Sequence, residues 1–319
     1  EYNMTLNIIG KPRLSKFLTT KAMVNLFNAS YASMVFSGDS NSNYQNITTM
    51  TQLISFTQLT GGEDFIQNQY DCLYGTFPTQ KNQIILVVNE SNQIGEFTLE
   101  ALGIDSTQEY TFEEIINLAN ANPLKVYANN EYYYDASTSE RDLYKANDFE
   151  TLYTGDAKCV ELEVVGIFRP KEDVSYTTLS TGVCYTSALT EYLLDENMDS
   201  DVVKAQKNNE DQYVIYEANG FPGSASDSIG SLFGAGVSVY DQKTALEALG
   251  GSRTPTKIYI YPERFESKDN ITSYLDNWNK THEEEEQVSY TDRASLIAST
   301  LSQMINIITI ALSAFSSVS

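Results

Sequence analysis

A single histidine and three cysteines are all that this 319-residue chain holds of two side chains much used in nucleophilic and metal chemistry. Any His-dependent triad or metal centre would have to be served by His282 alone, which precedes Glu283-Glu284-Glu285-Glu286 on a solvated stretch. Cys72, Cys159 and Cys184 form no C-x-x-C pair and allow at most one bridge, so a disulfide framework is excluded. Basic residues are scarce too: 20 Lys and Arg against 43 Asp and Glu give a net charge of −23. That surface repels phosphate backbones and anionic headgroups, which argues against nucleic-acid binding and basic-patch membrane docking, and suits a chain kept soluble outside a cell. No G-x-x-x-x-G-K-[ST] is present, so no P-loop is read here. A basic stretch followed by an apolar one is missing from the start, and position 1 is Glu1, so the chain is expected to be a piece of something longer, without a signal peptide.

What is present suffices for a real core. Hydrophobic residues make up 41%, and 22 tyrosines and 14 phenylalanines against one tryptophan point to a β-rich, partly polar interior. The length allows two modest domains, or one domain with a large insertion. Leu14, Phe17, Leu18, Ala22 and Leu26 predict a helix within 12–31, and the Ser/Asn/Thr-rich stretch 37–49 a loop. Ile84–Val88 is a short apolar run read as a buried strand. Thr111-x-x-Glu114 is a capping box before Ile115, Ile116 and Leu118. Strands are predicted at Leu124–Ala128, Val160–Phe168 and Tyr213–Tyr216. Leu189, Leu193 and Leu194 mark a helix, and Ala245–Leu249 another that stops at Gly250-Gly251. Past Pro255 the texture changes: Lys257–Tyr261 alternates as a strand, and Ser267 is expected to cap a helix carrying Ile271, Leu275 and Trp278.

After Arg293 no charged residue occurs through Ser319. Ile297, Leu301, Met304, Ile305, Ile308, Leu312 and Phe315 form one helical stripe; Ser295, Ser299, Ser302, Asn306, Thr309, Ser313 and Ser317 form the other. The stripe fits either an amphipathic helix packed on its own domain or a stalk leading toward a transmembrane span. The expectation is that Ile297, Leu301, Met304 and Ile305 are buried, with Ser299, Ser302 and Asn306 outward.

Candidate chemistry is sparse. Ser224, in the glycine-rich loop 220–236, lacks the G-x-S-x-G spacing and a base. Asp195-x-Asn197-x-Asp199-x-Asp201 has the alternating oxygen ligands that open a Ca²⁺ loop. Yet Ser200 stands where the turn glycine belongs and Gln206 where the bidentate glutamate belongs, so an acidic helix end is the default reading and cation binding there is left open. Tyr132-Tyr133-Tyr134, with Tyr127 and Tyr144, could stack on a sugar or peptide but also suit strands. Sequons at Asn3, Asn28, Asn46, Asn89, Asn270 and Asn279 are about what an Asn-rich composition yields. No catalytic, cofactor-binding or metal-ligating residue is assigned, and no cofactor is expected.

Several patches in order resemble the extracellular domain of FtsX-like (MacB-type) ABC transporter permeases of Gram-positive bacteria. They are Asn68-Gln69-Tyr70-Asp71 with Leu73-Tyr74-Gly75 and Pro78; Gln83–Val88 with Leu99 and Ala101-Leu102-Gly103-Ile104; and Leu162–Phe168. Ile258-Tyr259-Ile260-Tyr261-Pro262 follows, with Phe265, Leu275 and Trp278, and then Ser289-Tyr290-Thr291-Asp292 before the helix 294–318. The resemblance covers roughly residues 65–319. It implies an α+β, two-lobed ectodomain: a porter-like α/β lobe from both chain ends (1–75 and 256–290), a β-rich inserted lobe (76–255) and a stalk helix (291–319). It further implies a non-catalytic role in the cell membrane, with this domain extracellular. The partners implied are a cytoplasmic ABC ATPase, the permease's own transmembrane helices and an extracellular peptide or protein. The alternative is a free-standing surface or solute-binding module for a peptide or glycan.

Overall fold

The computed structural model describes residues 4, 6–9, 56–139, 142–147, 149–174, 177–210, 213–215, 242–255, 258–262 and 265–318. The chain is α+β and divides into two compact units, Glu1–Thr256 and Lys257–Ser319. The helix expected in 12–31, the loop at 37–49 and the glycine-rich loop 220–236 lie outside the described residues.

In the first unit, β1 (Asn7–Ile9), β2 (Phe56–Gln58), β3 (Tyr70–Gly75), β4 (Gln83–Val87), β5 (Leu124–Tyr127), β8 (Val160–Pro170) and β9 (Gly182–Tyr185) form one mixed seven-stranded sheet. Its order is β1-β5-β8-β4-β9-β2, with β3 also on β8. β6 (Tyr133–Asp135) and β7 (Tyr144–Ala146) make a separate hairpin-like pair. The helices between them are α1 (Glu63–Gln67), α2 (Glu96–Ala101), α3 (Phe112–Ala121), α4 (Asn129–Tyr132) and α5 (Phe149–Thr154). They continue with α6 (Ser187–Met198), α7 (Asp201–Asn208) and α8 (Gln242–Ala248). The boundary expected between residues 75 and 76 falls at the end of β3, whose ladder to β8 joins both sides in one sheet.

β4 explains why its sequence is a solid apolar run rather than an alternation: both faces are covered. Ile84, Leu86 and Val88 enter one buried cluster with Leu102, Ala119, Leu189 and Leu193, while Ile85 and Val87 enter another with Leu59, Ile66 and Tyr70. β8 adds a phase change. Ile84 faces Val164 but Ile85 faces Gly166, so Val165 is an extra, bulged residue. Val160, Leu162 and Val164 therefore point into the first cluster, yet beyond the bulge Ile167 does so and Phe168 turns to the second.

One edge of β8 is shared. β5 pairs with Val160–Leu162 and β3 with Gly166–Pro170, while β4 runs along the opposite edge. The Glu163 N–H donates to Asn82 O on the β4 side (2.8 Å), so Val164 presents its N–H and C=O to the gap between β5 and β3. Asn120, near the end of α3, fills that gap: its Oδ1 accepts from Val164 N (2.8 Å) and its Nδ2 donates to Val164 O (2.9 Å). The start of α3 is fixed by the expected capping box, with both Thr111–Glu114 bonds present. Where β3 leaves β8, Gly75 has φ +83°, and a Cβ there would lie 2.0 Å from Val165 O. One on Gly166 would lie 2.5 Å from Thr76 O. Only glycines allow backbones to cross so closely.

The second unit holds α9 (Phe265–Thr281), a 3₁₀ turn at Glu284–Glu286 and α10 (Arg293–Val318). Three expectations are corrected here. Ile258–Pro262 is not a strand: among the described residues no strand runs beside it, and alternation cannot make a strand without a partner edge. Ser267 lies inside α9 rather than capping it, because the helix already begins at Phe265. Met304 and Ile305 are not buried but 57% exposed each, as no described residue covers the middle of α10, where 302–310 are exposed on every side. The side chains of Ile297 and Leu301 lie outside the described residues. In the first unit, Tyr213–Ile215 is no strand either and makes one isolated bridge, Ile215 to Tyr144. Among the described residues no helix is long and apolar enough to cross a membrane, because serine, threonine and asparagine interrupt α10.

Asn120→Ala should strand the Val164 N–H and C=O and cost roughly 1–3 kcal/mol. Glu113→Ala on the exposed face of the same helix should stay within about 0.5 kcal/mol. Urea unfolding followed by far-UV circular dichroism compares the two.

Candidate functional site

The motifs singled out in the sequence do not converge on one site. His282 stacks on Trp278, with ring centroids 3.6 Å apart and planes at 10°, and its Nδ1 lies 2.9 Å from Trp278 O. Its ring thus serves the end of α9; Ser224 lies outside the described residues.

The acidic loop 195–201 diverges. Asp195 pairs with Arg253, and Asp201, exposed at the start of α7, lies 3.7 Å from Lys204. Asn197, between them, turns inward: its Oδ1 accepts from Asn129 N (2.8 Å) and its Nδ2 approaches Met4 Sδ (3.8 Å). The Asn129 carboxamide in turn donates to Ser200 Oγ (3.1 Å) and Leu249 O (2.8 Å). This buried node ties the ends of α6 and α8 to the starts of α4 and α7. Gly250 closes α8 at φ +70°, where a Cβ would lie 2.6 Å from Met4 Sδ. Gln206, at the position of the missing bidentate ligand, is also buried and accepts from Val214 N through Oε1 (3.1 Å). Among the described residues no three His, Cys, Asp or Glu side chains gather as they would around a metal ion.

The tyrosines are largely structural. Tyr127 and Tyr132 are buried, and the Tyr127 hydroxyl donates to Leu152 O (2.8 Å). Tyr132 and Tyr133 pack edge to face at 4.8 Å, Tyr144 is half-buried, and Tyr134 is the exposed member of the group. Burial pushes the Cys184 thiol up to about 12, and desolvation also raises those of Cys159 and Cys72, which keeps all three as weakly nucleophilic thiols. Of the sequons, Asn89 holds a turn through Ser91 N and Gln93 N, Asn279 is bonded to Val288, and Asn270 is exposed on α9. Asn3, Asn28 and Asn46 lie outside the described residues.

What remains is a surface in the second unit that sequence reasoning did not assemble. The connection after α9 folds back along that helix. Trp278 Nε1 donates to Glu286 O (3.1 Å), Asn279 exchanges both amide bonds with Val288 (2.9 and 2.8 Å), and the Tyr290 hydroxyl donates to Asp276 (2.7 Å). Asp292 then accepts from Ser295 N (2.9 Å) in the manner of a helix cap. Lys268, from the first turn of α9, reaches Asp292 (3.0 Å), Asp269 (3.2 Å) and the Ser295 hydroxyl. The Ser295 amide, followed by Lys268, holds the Asp292 carboxyl down at about 2. The carboxylate partner Asp292 raises Lys268, and Asp276 raises Tyr290. Asp292 ahead of the uncharged run was a readable helix-start signal; the tie to Lys268 was not, being set by the backward fold of the connection.

No protein-family model matches this chain, and neither a curated protein nor a solved structure does.

Because Asp292 is held below its ordinary value of 3.8, its contribution should be complete above about pH 4 and lost as the pH falls through about 2. Far-UV circular dichroism from pH 5 to 2 should show helix loss that is smaller in Asp292→Ala, which has already lost that contribution. Millimolar Ca²⁺ should leave the melting temperature unchanged, since Asn197 faces inward; a rise abolished by Asp199→Asn would contradict the divergent loop.

Proposed function

We propose that this chain is the non-catalytic extracellular domain of an FtsX-like or MacB-type ABC transporter permease in the cell membrane. In this reading it transmits ATP-driven motion and contacts exported substrate or partner proteins. The observation that carries the reading is α10: 26 residues with no charge after Arg293, and with Met304, Ile305, Ile307, Ile308, Ile310 and Leu312 all exposed. Leaving so many large apolar groups in water is unfavourable by roughly 1.5–3 kcal/mol each relative to full burial. The transmembrane helices of an intact permease, or the lipid acyl chains around them, are the surroundings that offset it. The ordered patches from Asn68 to Asp292 supply the family, and a cytoplasmic ABC ATPase is the partner that follows from it.

A second reading, a free-standing binding module for a peptide or glycan, has one observation in its favour. Ile258 and Ile260 are 79% and 60% exposed beside the stacked pair Tyr259 and Tyr261, whose centroids lie 6.4 Å apart.

Alkaline carbonate extraction of cells expressing the whole gene product separates the two. The permease reading expects retention in the membrane, with this domain open to external protease; release into the soluble fraction would leave the binding module. His282→Ala and Ser224→Ala should leave unchanged any hydrolytic turnover assayed on ester or peptide substrates. A turnover abolished by either change would overturn the non-enzymatic role.

A further inference from the structure

The connection that follows α9 lies on that helix as an extended peptide lies on a receptor. The backbone leaves the 3₁₀ turn at Gln287 in an extended conformation (φ −73°, ψ 144°). Three main-chain groups of the connection face side chains of α9. Trp278 Nε1 donates to Glu286 O (3.1 Å), Asn279 Nδ2 donates to Val288 O (2.9 Å), and Val288 N donates to Asn279 Oδ1 (2.8 Å). Two side chains of the connection add to these: the Tyr290 hydroxyl donates to Asp276 (2.7 Å) and Gln287 Nε2 to His282 O (3.1 Å).

Packing contributes little beside these bonds. Every residue from Glu283 to Tyr290 is exposed, Val288 to 41%. The segment is therefore held chiefly through its backbone, not by what its side chains bury. A carboxamide that takes the N–H and C=O of one residue together reads a group that every residue except proline presents alike. Main-chain bonds of that kind give affinity for an extended peptide, while side-chain contacts set its specificity. The far end of the segment is anchored separately, since Asp292 is held by Lys268 (3.0 Å) and by Ser295 N (2.9 Å). The bonds at 286–290 can thus open while α9 and the start of α10 keep their own contacts.

We propose that Trp278, Asn279 and Asp276 form a binding site for the main chain of an extended peptide, occupied in this structure by the chain's own residues 286–290. An exchanging peptide needs a carbonyl for Trp278, any residue but proline two positions on for Asn279, and a side-chain donor two positions further for Asp276. Its tether gives the resident segment an effective concentration on the order of millimolar, so free peptide enters when it is abundant or when the resident segment is weakened. The site uses no part of α10 and no membrane, and it stands whichever reading of the function holds.

Trp278 is the sole tryptophan, so its emission reports on the site in the full 319-residue chain. Val288→Pro removes the N–H that Asn279 accepts and should free the resident segment, seen as a shifted emission and stronger quenching by acrylamide. A synthetic peptide with blocked ends and the sequence of 283–291, Glu-Glu-Glu-Glu-Gln-Val-Ser-Tyr-Thr, should then restore the parent emission saturably. The same peptide N-methylated at its valine should not. Asn279→Leu added to the Val288→Pro chain should weaken the restoration roughly tenfold, as two hydrogen bonds are lost. An emission unmoved by Val288→Pro, no restoration at millimolar peptide, or equal restoration by the N-methylated peptide would overturn the site. If Val288→Pro loses helix by circular dichroism, the parent chain serves instead. Excess peptide should then speed amide hydrogen exchange across 286–290 by displacing the resident segment, and exchange untouched by the peptide would overturn the site equally.

Discussion

The first unit depends on how β8 divides its hydrogen-bonding capacity. An eleven-residue strand offers two edges, and three strands claim them: β4 along one, β5 and β3 along the other. Two partners on one edge leave a gap, and a gap in a buried ladder exposes backbone groups that water cannot reach. Asn120 resolves this with a carboxamide, which has the donor and acceptor of a peptide unit and can replace one. The bulge at Val165 then redirects the side chains beyond it, so that one strand feeds apolar residues to both faces in turn. The layers α2, α3 and α6 on one face, and α1 with Leu179 on the other, are arranged around those two outputs.

The same chemistry recurs wherever the backbone runs out of partners. Asn129, Asn279 and Gln206 each use a side-chain amide to hold a main-chain group. The Tyr70 hydroxyl likewise donates to Leu179 O and accepts from Leu179 N. An Asn-rich, Tyr-rich composition is therefore an interior feature here as much as a surface one. The two units differ in what surrounds these amides. In the first they sit within apolar packing that has its own stability; in the second the polar contacts stand with little apolar cover.

Local signals were legible in the sequence where a pattern needs only neighbours. The Thr111–Glu114 capping box, the apolar run Ile84–Val88, the strand from Val160 and the glycine stop after α8 all follow from residues within a few positions. Features set by distant partners were not. β3, with its exposed Asp71 and Cys72, carries no clear alternation and becomes a strand because β8 supplies the edge. Ile258–Tyr261 shows the converse, a good alternation that no described edge receives. The Ca²⁺-like spacing at Asp195–Asp201, read by default as an acidic helix end, decided little for a related reason: spacing fixes neither the direction of a side chain nor what Asn129 demands of Asn197. In α10 the stripe correctly marked a helix, but a stripe alone does not say what covers it.

The contact between Met4 and the Asn197–Gly250 corner joins positions 193 apart in sequence, and Leu6 completes the larger buried cluster. β2 on β9 is likewise a parallel pair whose partners are separated by about half of the unit. Such pairings must bear the loop-closure entropy of the intervening chain before any ladder bond compensates it. The sheet therefore cannot grow outward from one hairpin as the chain leaves the ribosome. Its central strands wait for β8 and β9, and the earliest segments wait longest, with unpaired edges exposed in the meantime. During that delay the strong negative charge keeps incompletely folded chains apart.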